Sequence, residues 1–277
     1  MSIRSVLKAI TPPVLLQMRR RLLNNGLRFT EVPSDWAQAL RLSTGYSAAS
    51  IIEQVAAATR EVVAGRALYE RDSVLFYEPD FPYPIATELL RAALANSGCL
   101  HVVDFGGSLG STYRQCRPLL DGLAEVRWQI VEQPGFVSIG QHEFTNSELS
   151  FVSTLQELRS SEVPPLVLLS SVLQYVERPE LTLTELLRLD ATHLVIDRTP
   201  VAKLASHRLC IQHAPKNVYE ASYPCWILSR SALHGALERE GWRILAEFEN
   251  REGHFETASG LEFEFCGLIA ERQRVPL

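Results

Sequence analysis

The chain has 277 residues, of which 46% are hydrophobic and 21% charged, and its net charge at pH 7 is −5. This composition is typical of an ordinary globular protein and excludes collagen-like and low-complexity disordered chains. No apolar run approaches the ~18–20 residues of a membrane-spanning helix. The five cysteines form no C-x-x-C pair, which predicts free thiols in a reducing, cytoplasmic compartment and neither a metal site nor a disulfide framework.

The charge is unevenly distributed. Residues 1–30 carry a net charge of +6 and no acidic residue, so the remainder is at −11, since the whole chain is at −5. Two interpretations of this basic arm stay open: a solvated helical extension, or an amphipathic segment that lies on the inner face of an anionic membrane. The acidic remainder has no basic stripe interleaved with aromatic residues, so we expect no nucleic-acid partner. The oligomeric state stays open.

The region 31–98 is predicted to form a helical cap. Ser34-Asp35 is an N-cap signal for a helix to residue 41, and apolar spacing predicts further helices over 48–66 and 85–95. The charged run 70–72, just before an apolar segment, is interpreted as the end of a helix.

From residue 99 the pattern changes to a predicted α/β domain that runs to residue 277. Short apolar runs separated by helical segments predict parallel strands; they cover residues 100–104, 127–132, 149–153, 166–170 and 192–197. A helix over 230–240 and two β-like runs at 242–249 and 261–270 then predict an antiparallel pair at the sheet edge. The fold class expected is α/β, a Rossmann-like sheet of seven strands with an N-terminal helical extension.

The most informative motif follows the first of these strands. Asp104 is followed by glycines at 106, 107 and 110, with Ser108 between them, and glycines allow a tight turn that approaches a ligand closely. The dinucleotide fingerprint G-x-G-x-x-G does not fit, because its first glycine would fall on Phe105. The spacing D-x-G-x-x-x-G instead resembles motif I of class I S-adenosylmethionine (SAM) methyltransferases, with serine in place of the usual middle glycine.

Other polar residues follow the remaining strands and are candidates for the same site. Glu132 lies 22 residues beyond Gly110, where an acid accepts both hydroxyls of a bound ribose; Gln133 beside it and Ser170 after the fourth strand are further cofactor contacts. Asp104 is expected either to cap the turn or to reach the methionine ammonium of SAM. Gln174 and Tyr175 are expected to line the substrate pocket.

The fifth strand ends on Asp197-Arg198, which could orient a hydroxyl and its proton or form a structural ion pair. The segment 201–228 is long for a connection and is predicted to be a lid-like insertion. Histidine is the usual general base near neutrality, which makes His213 a catalytic candidate. Asp197 and Tyr219 are the other catalytic candidates. The residues expected to contact the substrate are Arg198, Gln212 and Tyr223.

Taken together, several long motifs resemble a family of bacterial methyltransferases that are associated with surface-polysaccharide (O-antigen) biosynthesis clusters. They include Tyr69-Glu-Arg-Asp-Ser-Val-Leu-Phe76, Val103-Asp-Phe-Gly-Gly-Ser-Leu-Gly110, Val131-Glu-Gln-Pro134, Ser170-Ser-Val-Leu-Gln-Tyr175, Ile196-Asp-Arg-Thr-Pro200 and Ile211-Gln-His-Ala-Pro-Lys-Asn-Val-Tyr219. The resemblance implies SAM as cofactor, a hydroxyl of a sugar or glycolipid as methyl acceptor, and a substrate role for Arg71. A non-catalytic protein of the same fold and an NAD-dependent sugar-modifying enzyme are the alternatives.

Overall fold

The computed structural model describes residues 26–31, 35–44, 48–159, 163–214 and 221–273. The chain divides into two compact units. The described parts of the smaller unit fall within Met1–Gly45, Leu209–Cys225 and Glu256–Glu262, and the larger unit contains Tyr46–Arg208, Trp226–Phe255 and Phe263–Leu277. The larger unit is an α/β fold with a mostly parallel central sheet, as the sequence predicts. None of the described helices is long and apolar enough to cross a bilayer.

Seven α-helices are described, and their bounds follow the apolar periodicity of the sequence. They are α1 Trp36–Leu42, α2 Ala48–Val63, α3 Tyr83–Ala95, α4 Ser111–Cys116, α5 Pro134–Ile139, α6 Pro179–Leu187 and α7 Arg230–Arg239. The strands are β1 Arg28–Glu31, β2 Tyr69–Arg71, β3 Val74–Phe76, β4 Cys99–Phe105, β5 Glu125–Val131, β6 Leu149–Val152, β7 Leu166–Ser170, β8 His193–Ala202, β9 Arg208–His213, β10 Ser222–Ser229, β11 Trp242–Glu256 and β12 Glu262–Arg272.

The central sheet of the larger unit has the strand order β6-β5-β4-β7-β8, and every pair in this series is parallel. These are the five strands predicted from the sequence. Strand β12 lies antiparallel to β8 and hydrogen-bonds to β11. A short parallel pairing of Leu228 and Ser229 with β8 adds a neighbour that the sequence did not predict.

The sheet is buried on both faces, which explains the continuous apolar runs of its strands. Along β7, Leu166 and Leu168 pack into one apolar cluster, whereas Val167 and Leu169 pack into the other. All four are at most 1% exposed, and each such side chain contributes about 1.5–3 kcal/mol through burial. Because alternate residues face opposite layers, one strand holds helices on both sides of the sheet.

The charged run before β4 forms a β-hairpin, so its interpretation as the end of a helix is wrong. Tyr69 pairs with Phe76 and Arg71 with Val74, and the turn residues Asp72 and Ser73 have φ angles of 51° and 66°. Two consecutive residues with positive φ give the tight turn whose twist matches paired strands. Glu70 and Arg71 therefore lie in strand β2 and not at an exposed helix end.

The smaller unit contains β1 paired antiparallel with β9, with Arg28 opposite His213. Helix α1 begins at the predicted cap, where the Asp35 carboxylate accepts the N–H of Gln38 at 2.7 Å. Residues 1–25 of the basic arm lie outside the described residues, so its membrane contact stays a prediction. The segment 201–228 contains β9 and β10 rather than a continuous irregular insertion, and its lid role also stays a prediction.

Candidate functional site

The glycine loop between β4 and α4 packs closely against neighbouring side chains. Gly106 has a φ of +74°, and a Cβ built on it would lie 2.3 Å from Cγ2 of Val172. A Cβ on Gly107 would lie 2.5 Å from the carboxyl carbon of Asp104. Neither position therefore tolerates a side chain. The backbone follows the carboxyl end of β4 closely, as a loop that holds a ligand must.

Ser108 occupies the position where motif I usually has glycine. Its φ is +55°, a left-handed conformation that costs a non-glycine residue about 1–2 kcal/mol. Its backbone N–H donates to Oε1 of Glu132 at 3.3 Å. The serine therefore adopts the conformation that the motif requires, and a hydrogen bond to the neighbouring strand holds it there.

Asp104 lies beneath the loop rather than in the open site. Its side chain is 1% exposed, and its Oδ2 accepts the indole N–H of Trp128 at 2.9 Å. Burial raises the pKa of this carboxyl to about 7. Both expected roles of Asp104, at the turn and toward a ligand ammonium, stay predictions.

Glu132 lies directly after β5 and points toward the glycine loop. It is half-buried, and besides Ser108 it accepts the backbone N–H of Gln133 at 2.6 Å. Burial raises the pKa of Glu132. Each oxygen of a carboxylate has two lone pairs, so both can still accept hydrogen bonds from a ligand. Gln133 itself is exposed beside it.

A small polar cavity of about 30 Å³ lies at the carboxyl ends of β7 and β8. Its lining comes from the hairpin, α3, α4 and the ends of these two strands. The residues are Glu70, Arg71, Pro82, Ile85, Ser111, Thr112, Gln115, Ser170, Asp197 and Arg198. In a parallel sheet this edge is where ligands bind.

A second, more open groove lies after β5 and β6 and is lined by residues that include Pro134 and Ser153. Strand β4 lies between β7 and β5 in the sheet. The glycine loop, which follows β4, therefore begins between the strands that end at the two cavities.

Asp197 is held rigidly at the cavity. It is 6% exposed, its Oδ2 accepts the hydroxyl of Ser170 at 2.9 Å, and its Oδ1 accepts the side-chain amide of Asn250 at 2.7 Å. Burial raises the pKa of Asp197, and these two hydrogen bonds limit the rise. A carboxylate with a raised pKa is a better proton acceptor than an exposed one.

Arg198 forms structural ion pairs around the same cavity. Its Nε donates to Glu252 and its Nη2 to Asp72, both at 2.8 Å, and its backbone N–H donates to the Asn250 side chain. Its φ of +50° is left-handed. Arg198 therefore forms ion pairs with Asp72 and Glu252 and not with Asp197. Asp197 lines the cavity without an ion pair to its neighbour.

Gln174 lies buried between the loops after β7 and β8. It is 0% exposed, and its Nε2 donates to Oγ of Ser171 at 3.1 Å and to the carbonyl of Arg198 at 3.2 Å, while its Oε1 has no hydrogen-bond partner among the described residues. Its role in lining a substrate pocket stays a prediction. Tyr175 is half-buried in the short helix that follows β7.

Four of the predicted site residues lie in β9 or after it. Gln212 and His213 lie in the smaller unit, where Gln212 Nε2 donates to the Tyr223 hydroxyl at 2.9 Å and His213 Nε2 lies 2.9 Å from Thr30 Oγ1. Burial and Arg28 lower the pKa of His213. Tyr219 lies outside the described residues. The catalytic and substrate roles of these residues stay predictions.

The sequence matches no protein-family model and no curated protein. Several solved structures are similar in fold. The N-terminal domain of EvdMO1, solved with S-adenosylhomocysteine (SAH) and D-fucose, is 16% identical with a TM-score of 0.44, covering 80% of this chain and 97% of that one.

A SAM-dependent methyltransferase from Clostridium acetobutylicum is 7% identical with a TM-score of 0.46, covering 80% and 99% of the two chains. The 1,6-didemethyltoxoflavin-N1-methyltransferase of Burkholderia thailandensis is 14% identical with a TM-score of 0.42, covering 89% and 95%. All three similarities are weak, so the chemistry of this chain has to follow from its own site.

Sequence reasoning missed Asn250 and Glu252, which hold Asp197 and Arg198 in place. The predicted strand ended at residue 249, whereas β11 continues to Glu256. Residues 250–256 show no regular alternation of apolar and polar residues, so no sequence signal marked this extension of the strand. The contribution of Ser111, Thr112 and Gln115 from α4 was also missed.

Proposed function

We propose that the chain is a SAM-dependent methyltransferase that transfers a methyl group to a hydroxyl of a sugar or glycolipid. The observation that carries the proposal is the half-buried Glu132 carboxylate at the end of β5, hydrogen-bonded to the glycine loop after β4. An acid at this point of a parallel sheet, next to a glycine-rich loop, suits a nucleoside whose ribose hydroxyls need an acceptor. The solved methyltransferases of similar fold are consistent with this choice of cofactor.

The residues present fit an adenosyl group. Gly106 and Gly107 leave the backbone N–H and C=O groups of the loop without side chains of their own at these two positions, and Glu132 has spare acceptor capacity. Glu132 and the loop would hold the nucleoside, with Gln133 and Ser170 beside them. When bound, SAM supplies an electrophilic methyl group on a sulfonium, so the protein mainly has to orient the acceptor and accept its proton.

Asp197 is the proton acceptor in this proposal. Its two oxygens are fixed by Ser170 and Asn250, and each oxygen keeps a further lone pair for an acceptor hydroxyl. Burial raises its pKa, which strengthens it as a base near neutral pH. The polar lining of the cavity suits an acceptor rich in hydroxyls.

The finer parts of the proposal follow from the family resemblance. They are a role in surface-polysaccharide biosynthesis, contact of the basic arm with the inner membrane face, and correspondence of the five parallel strands with β11 and β12 to the seven-stranded methyltransferase sheet. The polar cavity at β7 and β8 supports the glycan acceptor in particular.

The experiment is calorimetric binding of SAH and of NAD to the purified chain. We expect SAH to bind and NAD not to bind. Glu132→Ala and Glu132→Gln should weaken SAH about 10- to 100-fold, because hydrogen bonds from ligand hydroxyls to a charged carboxylate are lost. Glu125→Ala, at the exposed opposite end of the same strand, is the matched control and should bind SAH as the wild type does.

Absence of SAH binding to the wild type, or equal binding by the Glu132 variants and the wild type, would refute the proposal. Preferential NAD binding would instead support the NAD-dependent sugar-modifying enzyme. Binding of SAH without methylation of any acceptor in a glycan panel, followed by mass spectrometry, would favour the non-catalytic alternative.

A further inference from the structure

The β2–β3 hairpin presents two opposite charges to the cavity at β7 and β8. Glu70 and Arg71 are neighbours in the chain, and both residues line this cavity together with Ser111 and Gln115 of α4. An anionic and a cationic group on one wall are complementary to a ligand that carries an ammonium and a carboxylate close together.

Arg71 has unused donor capacity. Its Nη2 donates to Oε1 of Gln115 at 3.0 Å, a neutral acceptor, and no ion pair of Arg71 occurs among the described residues. Arg198, the other arginine of the cavity, is by contrast engaged by Asp72 and Glu252. A guanidinium has five N–H donors in a fork that matches a carboxylate, so Arg71 is the cation available to a ligand.

Glu70 has unused acceptor capacity. It is 2% exposed, and it accepts the hydroxyl of Ser111 and, at 3.3 Å, the backbone N–H of Ser73. Burial raises the pKa of Glu70, as expected for a carboxylate that lacks a cationic partner in direct contact. A ligand ammonium would supply that partner.

Asp104, the other acid that the sequence offered for an ammonium, does not line this cavity. Its carboxylate lies against Gly107 and accepts the indole N–H of Trp128. Glu70 is the acid that lines the cavity next to Arg71 in the chain.

We propose that Glu70 and Arg71 bind the α-ammonium and the α-carboxylate of the amino-acid end of SAM and SAH. The inference rests on the proposed function and extends it. The hairpin then makes the cavity at β7 and β8 a site for an α-amino-acid group.

The test compares calorimetric affinities for SAH and for 5′-methylthioadenosine, which keeps the adenosine and the sulfur but lacks the amino-acid group. We expect Glu70→Gln and Arg71→Gln each to weaken SAH about 10- to 100-fold, the usual effect of losing a charged hydrogen-bond partner. Binding of 5′-methylthioadenosine should stay within about twofold of the wild type, and Arg71→Lys should recover part of the SAH affinity.

Matched controls come from the exposed ion pair of Glu61 with Arg66 at the end of α2. Glu61→Gln and Arg66→Gln change the same charges outside the cavity and should leave both affinities unchanged. Equal weakening of both ligands by the hairpin variants would overturn the inference, because it would indicate general damage to the fold.

Unchanged SAH affinity in Arg71→Gln and Glu70→Gln would also overturn it. If the wild type binds both ligands and Glu132→Ala weakens both, the proposed function survives this failure. If the wild type binds neither ligand, both proposals fail.

Discussion

Replacing Asp104 with asparagine should remove a pH-dependent loss of stability. The carboxyl is 1% exposed, and burial raises its pKa from 3.8 to about 7. A raised folded-state pKa means that the folded protein binds the proton more tightly than the unfolded chain. The stabilising contribution is therefore fully present below about pH 4 and is lost as the pH rises through about 7.

The magnitude follows from the same shift. Each pKa unit corresponds to about 1.4 kcal/mol, so Asp104 costs the folded state about 4 kcal/mol above pH 7 relative to pH 4, as an upper limit. Asparagine keeps an oxygen that can accept the indole N–H of Trp128, now 2.9 Å from the Asp104 carboxylate. Asp104→Asn should thus resemble the wild type at pH 4 and become progressively more stable than it toward pH 8.

Urea unfolding of both proteins between pH 4 and pH 8 measures this difference, since other titrating groups cancel in the comparison. Asp121→Asn is the matched control, because the Asp121 side chain is 77% exposed in a surface pair with Arg117 and should give no such trend. A difference in unfolding free energy between Asp104→Asn and wild type that stays constant across this pH range would refute the reasoning.

Two further predictions concern the loop and the base. Gly106→Ala should destabilise the fold by about 2–4 kcal/mol in urea unfolding, because alanine is strained at a φ of +74° and its Cβ would meet Val172. The control is Gly122→Ala, since a Cβ at Gly122 would have no atom within 4 Å. Equal destabilisation by the two substitutions would contradict this account. Asn250→Ala should raise the pKa of Asp197, because the Asn250 side chain donates a hydrogen bond to the charged carboxylate. Carbon-13 titration of the carboxyl measures this pKa. An unchanged or lower pKa would show that the hydrogen bond does not stabilise the charged form.

The sequence predicted the elements whose pattern is set by burial. The five parallel strands are short apolar runs between helical segments, and a sheet covered on both faces requires such runs. The cap at Asp35 was predictable because it depends on a local hydrogen bond to Gln38 three residues on. Local chemistry and burial are the signals that a single sequence carries most clearly.

The parts that were mispredicted depend on contacts between distant segments. The hairpin at Asp72 and Ser73 lacks the Asn-Gly or Asp-Gly signal of such turns, so its charges suggested a helix end. The hydrogen bonds of Asp104 with Trp128 and of Gln174 with the carbonyl of Arg198 likewise join segments that are distant in the sequence. Such partners leave no local signal in a single sequence.

Asn250 and Glu252 have a consequence for the order in which the site assembles. They belong to β11, which follows the five parallel strands in the chain, yet they secure Asp197 and Arg198 at the end of β8. During synthesis on the ribosome, β4 to β8 can pair before β11 has emerged, but the proton acceptor then lacks one of its two anchors. A nascent or truncated chain that ends before residue 250 should consequently have a formed sheet and an unfinished reaction centre.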